Sequence, residues 1–267
     1  MTRVAALQMV SGVDVAANLA VARTLIAEAV AAGAALIALP EYFALLSPDP
    51  AAKLALREAF PDPGARLQAF LAGEARRHGV WIVGGTIPLA SAAPDRVRNS
   101  TLVFAPDGRC AARYDKLHLF GFSSGDEHYD EACTIEAGSE VVAFDGPCGR
   151  IGLAVCYDLR FPELFRALGD VNLIVLSAAF TETTGRAHWE VLLRARAIEN
   201  QCYVLACAQG GEHPGGRRTF GHSMLIDPWG QVLALKAAGP GIVIGGIDLE
   251  RIAAVRESLP ALRHRRL

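Results

Sequence analysis

No two cysteines in this chain are spaced as C-x-x-C, and no stretch reads H-E-x-x-H. The six cysteines, Cys110, Cys133, Cys148, Cys156, Cys202 and Cys207, therefore offer neither a zinc knuckle nor a thioredoxin-like redox pair. No His pair has metal-ligand spacing, so no metal is expected. An excess of either charge is also missing. A formal net charge of -2 and a pI of about 6.4 argue against a nucleic acid or an anionic membrane as a partner held by charge. The one dense cationic run, Arg263-His264-Arg265-Arg266, fits a solvated tail or an interface contact. The longest apolar stretch, residues 29–40, contains Gly33 and is too short to cross a bilayer. Met1-Thr2-Arg3 leads into an apolar strand rather than a signal-peptide core, so a reduced, cytoplasmic compartment is expected.

What is present is material for a large core. Hydrophobic residues make up 52% of the 267 positions and charged residues 20%, which is not the composition of a disordered chain. Short β-branched runs alternate with Ala-rich helical runs, the pattern of an α/β fold. Strands are expected over residues 4–9, 36–39, 80–84, 101–104, 151–155, 173–176, 203–206, 223–226 and 242–247, and helices over 15–32, 64–78, 162–168 and 187–200. Pro106-Asp107-Gly108 and Asp227-Pro228-Trp229-Gly230 read as hairpin turns. Runs such as Leu173-Ile174-Val175-Leu176 are apolar on both faces, as in strands covered on both sides. No linker, low-complexity segment or repeat divides the sequence, so residues 1–267 read as a single domain.

Three segments carry chemistry. In Ile151-Gly152-Leu153-Ala154-Val155-Cys156-Tyr157-Asp158 an apolar strand ends in a cysteine, and a Pro-containing turn into a helix follows. Such a turn raises a nucleophile above a sheet, with backbone N–H groups nearby to hold an oxyanion. The commoner fate of a cysteine is to pack as a small hydrophobe, and Cys156 alone would not decide the matter. Leu39-Pro40-Glu41-Tyr42-Phe43 places a carboxylate just past another apolar strand, and Tyr114-Asp115-Lys116-Leu117-His118 places an ammonium just past a third. If those strands are parallel neighbours, their C-terminal ends converge on one crevice.

These segments, in the order glutamate, lysine, cysteine, resemble the signature segments of the nitrilase superfamily of carbon–nitrogen hydrolases. The resemblance extends through residues 152–164, through 185–200 with Ala-His-Trp-Glu and Arg-Ala-Arg-Ala-Ile-Glu-Asn, and through Gly-His-Ser-Met-Leu-Ile-Asp-Pro-Trp-Gly at 221–230. It thus covers nearly the whole chain. It implies a four-layer α-β-β-α sandwich that assembles as a homodimer or larger homo-oligomer, and it implies no cofactor. It also implies a second glutamate between lysine and cysteine, in a segment aromatic-x-Glu seven positions before a glycine. Tyr129-Asp130-Glu131 leading to Gly138 fits, which assigns Glu131, although Asp126, Glu127, Asp130 and Glu136 crowd the same stretch.

A free cysteine ionises near pH 8.5, so something must favour the Cys156 thiolate. Glu41 is suited to take the thiol proton, pass it to the departing amine and later activate water. Lys116 and the backbone N–H of Tyr157 would hold the oxyanion, while Glu131 would fix the lysine or the leaving group. His118, His188 and His222 read as scaffold. Asp158 and Arg160 read as braces of the nucleophile turn, and Arg194, Arg196 and Glu199 as a solvated helix face. The branch resembled, the Nit-type amidases, implies a small carboxylated amide as substrate. Deaminated glutathione, cleaved to 2-oxoglutarate and cysteinylglycine, is the first expectation; 2-oxoglutaramate is the second, with nitrilase or carbamoylase chemistry behind it. Arg217 and Arg218, on the Gly-rich segment 210–222, are the candidates for binding a substrate carboxylate, since arginine pairs with one bidentately.

Overall fold

Strand β1 (Thr2–Gln8) divides its side chains between two cores, and the layering follows from that division. Val4 and Ala6 enter a core shared with a second sheet, whereas Ala5 and Leu7 face helices. The computed structural model describes residues 1–125 and 127–266. In chain order the first half continues with α1 (Val15–Ala31), β2 (Leu36–Ala38), α2 (Ala51–Ala55), α3 (Arg66–His78), β3 (Trp81–Val83) and β4 (Ile87–Ala90). It ends with β5 (Val97–Phe104), β6 (Cys110–Asp115) and the ribbon β7 (Gly121–Ser124) and β8 (Glu127–Asp130). The second half begins with β9 (Ala143–Gly146), β10 (Gly149–Val155), α4 (Pro162–Ala167), β11 (Leu173–Ala178), α5 (Glu182–Asn200) and β12 (Tyr203–Ala208). A short ribbon of β13 (Gly210–Glu212) and β14 (Arg218–Phe220) follows, then β15 (Ser223–Ile226), β16 (Val232–Lys236), β17 (Gly241–Ile247) and α6 (Leu249–Ser258).

The first sheet has the order β17-β1-β2-β3-β5-β4, with β6 paired to β5; the second has the order β16-β15-β12-β11-β10-β9. β1, β2 and β3 run parallel, as do β10, β11 and β12. Helices α1 and α3 cover the first sheet through Leu19, Leu25, Ile26, Leu67 and Leu71. α4 and α5 cover the second through Leu164, Phe165, Trp189 and Leu193. The result is the expected four-layer α-β-β-α sandwich, and both hairpin turns are present between antiparallel strands.

One expectation is corrected in a way that matters for the site. The strands that precede Glu41 and Cys156 are not neighbours in one sheet: β2 lies in the first sheet and β10 in the second. Their C-terminal ends meet across the sandwich instead. The hydroxyl of Ser177 on β11 and the thiol of Cys207 on β12 both donate to the carbonyl of Leu39, at 2.8 and 3.2 Å. Helix α5 begins at Glu182, earlier than apolar periodicity suggests, because Thr184 and Gly185 are buried in tertiary contact; a Cβ on Gly185 would lie 2.4 Å from Phe220. The segment after Ile247 forms α6 and packs on its own chain. Asp248 caps it, Ile252 and Val255 are buried, and Arg256 donates to the carbonyls of Gln201 and Val171. Among the described residues no helix is long and apolar enough to cross a membrane.

Candidate active site

Cys156 stands one step past the end of β10 and Glu41 three past the end of β2, and the backbone bends sharply at both places. Tyr42, next to Glu41, has φ 57° and Cys156 itself has φ 47°. Left-handed backbone is costly for residues with a Cβ, and it persists where the surroundings over-determine it. At Cys156 the determinant is Asp158, which is fully buried. Its carboxylate accepts the Val155 N–H at 2.8 Å, the Tyr114 hydroxyl at 2.6 Å and the His118 N–H at 3.0 Å, with His118 Nδ1 at 2.7 Å. One carboxylate thus ties the nucleophile turn of the second sheet to the segment of the first sheet that carries Lys116. Cys156 opens a short 3-10 helix, so the N–H groups of Cys156 and Tyr157 have no partner within that helix.

Lys116 follows β6 and is almost wholly buried. Its ammonium donates to Glu41 Oε1 at 2.9 Å and to Glu131 Oε2 at 2.7 Å. An ammonium has three N–H bonds, so one remains for a third acceptor. Burial opposes its charge, but Glu131 and Glu41 outweigh burial and hold its pKa above the ordinary lysine range. Glu41 is fixed further by Asn99 Nδ2 and by the Ala179 N–H, each at 2.9 Å. Glu131 accepts the Tyr42 hydroxyl and the Phe120 N–H, each at 2.8 Å. Burial works to raise the Glu131 pKa, yet Lys116 and these donors leave it lowered. Gly138 matters to the same lysine: its N–H bonds the Lys116 carbonyl at 2.8 Å, and a Cβ there would lie 2.1 Å from the Asp115 oxygen. Of the carboxylates crowded around Glu131, Asp130 turns to the Ala132 N–H and Glu136 pairs with Arg98, while Asp126 lies outside the described residues.

Burial pushes the Cys156 pKa well above the ordinary thiol range, the Glu41 carboxylate adds to this, and Lys116 only partly opposes it. The surroundings therefore favour a neutral thiol beside a carboxylate over a standing thiolate. Among the described residues no histidine lines the narrow cavity at Cys156. Glu41, Glu131, Tyr157, Ala179 and Arg217 do line it, with Phe120, Phe180, Thr181 and Thr184.

Residues 3–257 match the carbon-nitrogen hydrolase family. This chain belongs to that family. A deaminated glutathione amidase of Synechocystis is 42% identical over 98% of this chain and 97% of its own. A human omega-amidase is 36% identical over 93% of this chain and 89% of its own. A Saccharomyces cerevisiae structure from the nitrilase superfamily superposes with a TM-score of 0.89 at 30% identity, covering 100% of this chain and 97% of the other.

Within this carbon–nitrogen hydrolase the two arginines of the Gly-rich segment part company. Arg217 lines the cavity and donates to the Ala179 carbonyl at 3.1 Å. Arg218 is largely exposed and ion-pairs with Glu182 at 2.7 Å, and it is not among the cavity's lining residues. Neighbouring residues entering an extended strand point to opposite sides, which separates the pair. Arg160 makes no ion pair with Asp158; its guanidinium lies over the rings of Phe180 and Tyr157, at 5.3 and 5.8 Å. Arg196 is not on a solvated face either: it is buried and donates twice to the Leu159 carbonyl, directly behind the nucleophile turn. His118 stacks on Phe161 at 3.7 Å and His222 on Phe220 at 3.9 Å, as scaffold groups.

The raised thiol pKa has a measurable sign. The alkylation rate of Cys156 by iodoacetamide, followed by mass spectrometry of its peptide, is expected to keep rising through pH 9. A plateau reached below pH 8 would mean a resting thiolate and would contradict this electrostatic picture.

Proposed function

We propose that the protein is an amidase that cleaves deaminated glutathione to 2-oxoglutarate and cysteinylglycine through a thioester on Cys156. The observation that carries this reading is the meeting of Cys156 with the Glu41–Lys116–Glu131 chain at the wall of one cavity. Glu41 takes the proton from Sγ as sulfur attacks the amide carbon, which removes the need for a standing thiolate. The oxyanion that forms accepts the third Lys116 N–H and the Tyr157 N–H. Glu41 then returns the proton to the departing nitrogen, the C–N bond breaks, and the thioester remains. In the second half Glu41 takes a proton from water, the hydroxide attacks the thioester, and the thiol leaves with that proton. Glu131, with its oxygens taken by Lys116, Tyr42 and Phe120, acts on the lysine by keeping it charged and aimed. Asn99 and the Ala179 N–H do the same for Glu41. These groups complete the reaction without a cofactor.

The substrate reading is supported by the deaminated glutathione amidase relative and by Arg217 at the cavity wall. The omega-amidase relative supports 2-oxoglutaramate as the second reading. Wild-type kcat/KM on deaminated glutathione is expected to exceed that on 2-oxoglutaramate, with Cys156→Ala folded by circular dichroism and inactive on both. A tenfold or greater preference for the smaller amide, about 1.4 kcal/mol, would transfer the assignment to omega-amidase.

Assembly as a homodimer is part of the same reading. Val191 and Ile198 on α5 are 61% and 48% exposed, and Trp229 in the adjoining β15–β16 turn is 56% exposed. Gly230 of that turn packs on Ile198, so the apolar residues form one face. Light scattering is expected to give twice the chain mass at micromolar concentration, falling to the chain mass in Val191→Glu; a monomeric wild type would contradict the assembly.

A further inference from the structure

Beyond the cavity at Cys156 lies a second, larger chamber of about 370 Å³. Phe120, Glu131 and Arg217 line both spaces, so the two adjoin. The chamber contains a cation that sequence motifs did not single out. Lys53, on the short helix α2, is half-buried in its wall, with Nζ 5.6 Å from the centre of the Tyr42 ring. Among the described residues it has no hydrogen-bond or ion-pair partner.

Arg217 is the second cation. One end of its guanidinium is spent on the Ala179 carbonyl and its face lies 5.5 Å from the Tyr129 ring. Its Nε is closed off from solvent and has no partner. The carboxylates in the chamber do not answer these charges. Glu131 is engaged by Lys116, Tyr42 and Phe120, while Asp49 accepts the Ala51 N–H and Asp130 the Ala132 N–H. Burial, with the Arg217 charge in support and Glu131 opposing, holds the Lys53 pKa below its ordinary value. A half-desolvated ammonium without a counter-ion is an open position for an anion.

We propose that Lys53 and Arg217 form a carboxylate-recognition site for the departing half of the substrate. The inference rests on the amidase reading given above. The carbonyl under attack must sit at Cys156, with the acyl half in the inner cavity that Cys156 lines. A departing half of dipeptide size then extends past Glu131 into the outer chamber, where its terminal carboxylate meets the two cations. Lys53 and Arg217 bind and select; neither takes part in bond making.

The test compares wild type, Lys53→Met and Lys53→Arg on three amides that share the 2-oxoglutaryl group. These are deaminated glutathione, the same molecule with its terminal carboxylate converted to the primary amide, and 2-oxoglutaramate. Lys53→Met is expected to lower kcat/KM for deaminated glutathione about tenfold or more, mostly through KM, and to leave the other two within about twofold. Lys53→Arg is expected to retain most of the wild-type value. An equal loss on all three amides, or no loss on deaminated glutathione, overturns the site while leaving the amidase reading intact. A wild type that cleaves none of the three overturns the amidase reading and the site with it.

Discussion

Taking a lysine ammonium out of water leaves a charge that must be answered, and here Lys116 is answered twice. Glu41 and Glu131 flank it at 2.9 and 2.7 Å, and each carboxylate is in turn held by neutral donors from other parts of the chain. Removing one member of such a buried set typically costs about 3–5 kcal/mol, because the remaining charges lose their partner. The network therefore constrains the fold as well as the chemistry. Tyr42, Asn99, Phe120 and Ala179 are all fixed by it, and they come from both halves of the sandwich.

The two sheets explain how such a set is assembled. Each supplies three parallel strands, and the loops at their C-terminal ends face one another across the core. Ser177 and Cys207 stitch the second sheet to Leu39, and Asp158 joins the Cys156 turn to Tyr114 and His118. Cys156 from one sheet is thereby set against Glu41 and Lys116 from the other. The same closeness works against a Cys156 thiolate, since burial and the Glu41 carboxylate both disfavour a second negative charge.

The layers and the chemistry-bearing residues were legible in the sequence; their partners were less so. Apolar strand runs and Ala-rich helices mark the architecture, and Glu41, Lys116 and Cys156 stand out because each lies within three residues of a strand's C-terminal end. Which sheet each strand joins is a long-range matter that local patterning does not encode, so β2 and β10 read as neighbours when they are not. Asn99 sits in the polar run Arg98-Asn99-Ser100-Thr101, so nothing local singles it out, and its role depends on Glu41, 58 positions away. Arg217 and Arg218 are equivalent in sequence and diverge only when the backbone turns one inward. Lys53 is a lone lysine in the Ala- and Leu-rich run 51–56, and only the fold brings it to the same chamber wall as Arg217. Arg196 read as solvated because its acceptor, the Leu159 carbonyl, is a backbone group that no side-chain pattern advertises.

The central claim is that Glu41 must take the proton of a neutral Cys156 thiol before an acyl group can be transferred to sulfur. Intact-protein mass spectrometry of samples quenched within the first turnovers on deaminated glutathione tests this most directly. The account predicts a 2-oxoglutaryl adduct on the Cys156 peptide of the wild type and none above background in Glu41→Gln. Stoichiometric accumulation of that adduct in Glu41→Gln would contradict it, because acylation would then proceed without the carboxylate.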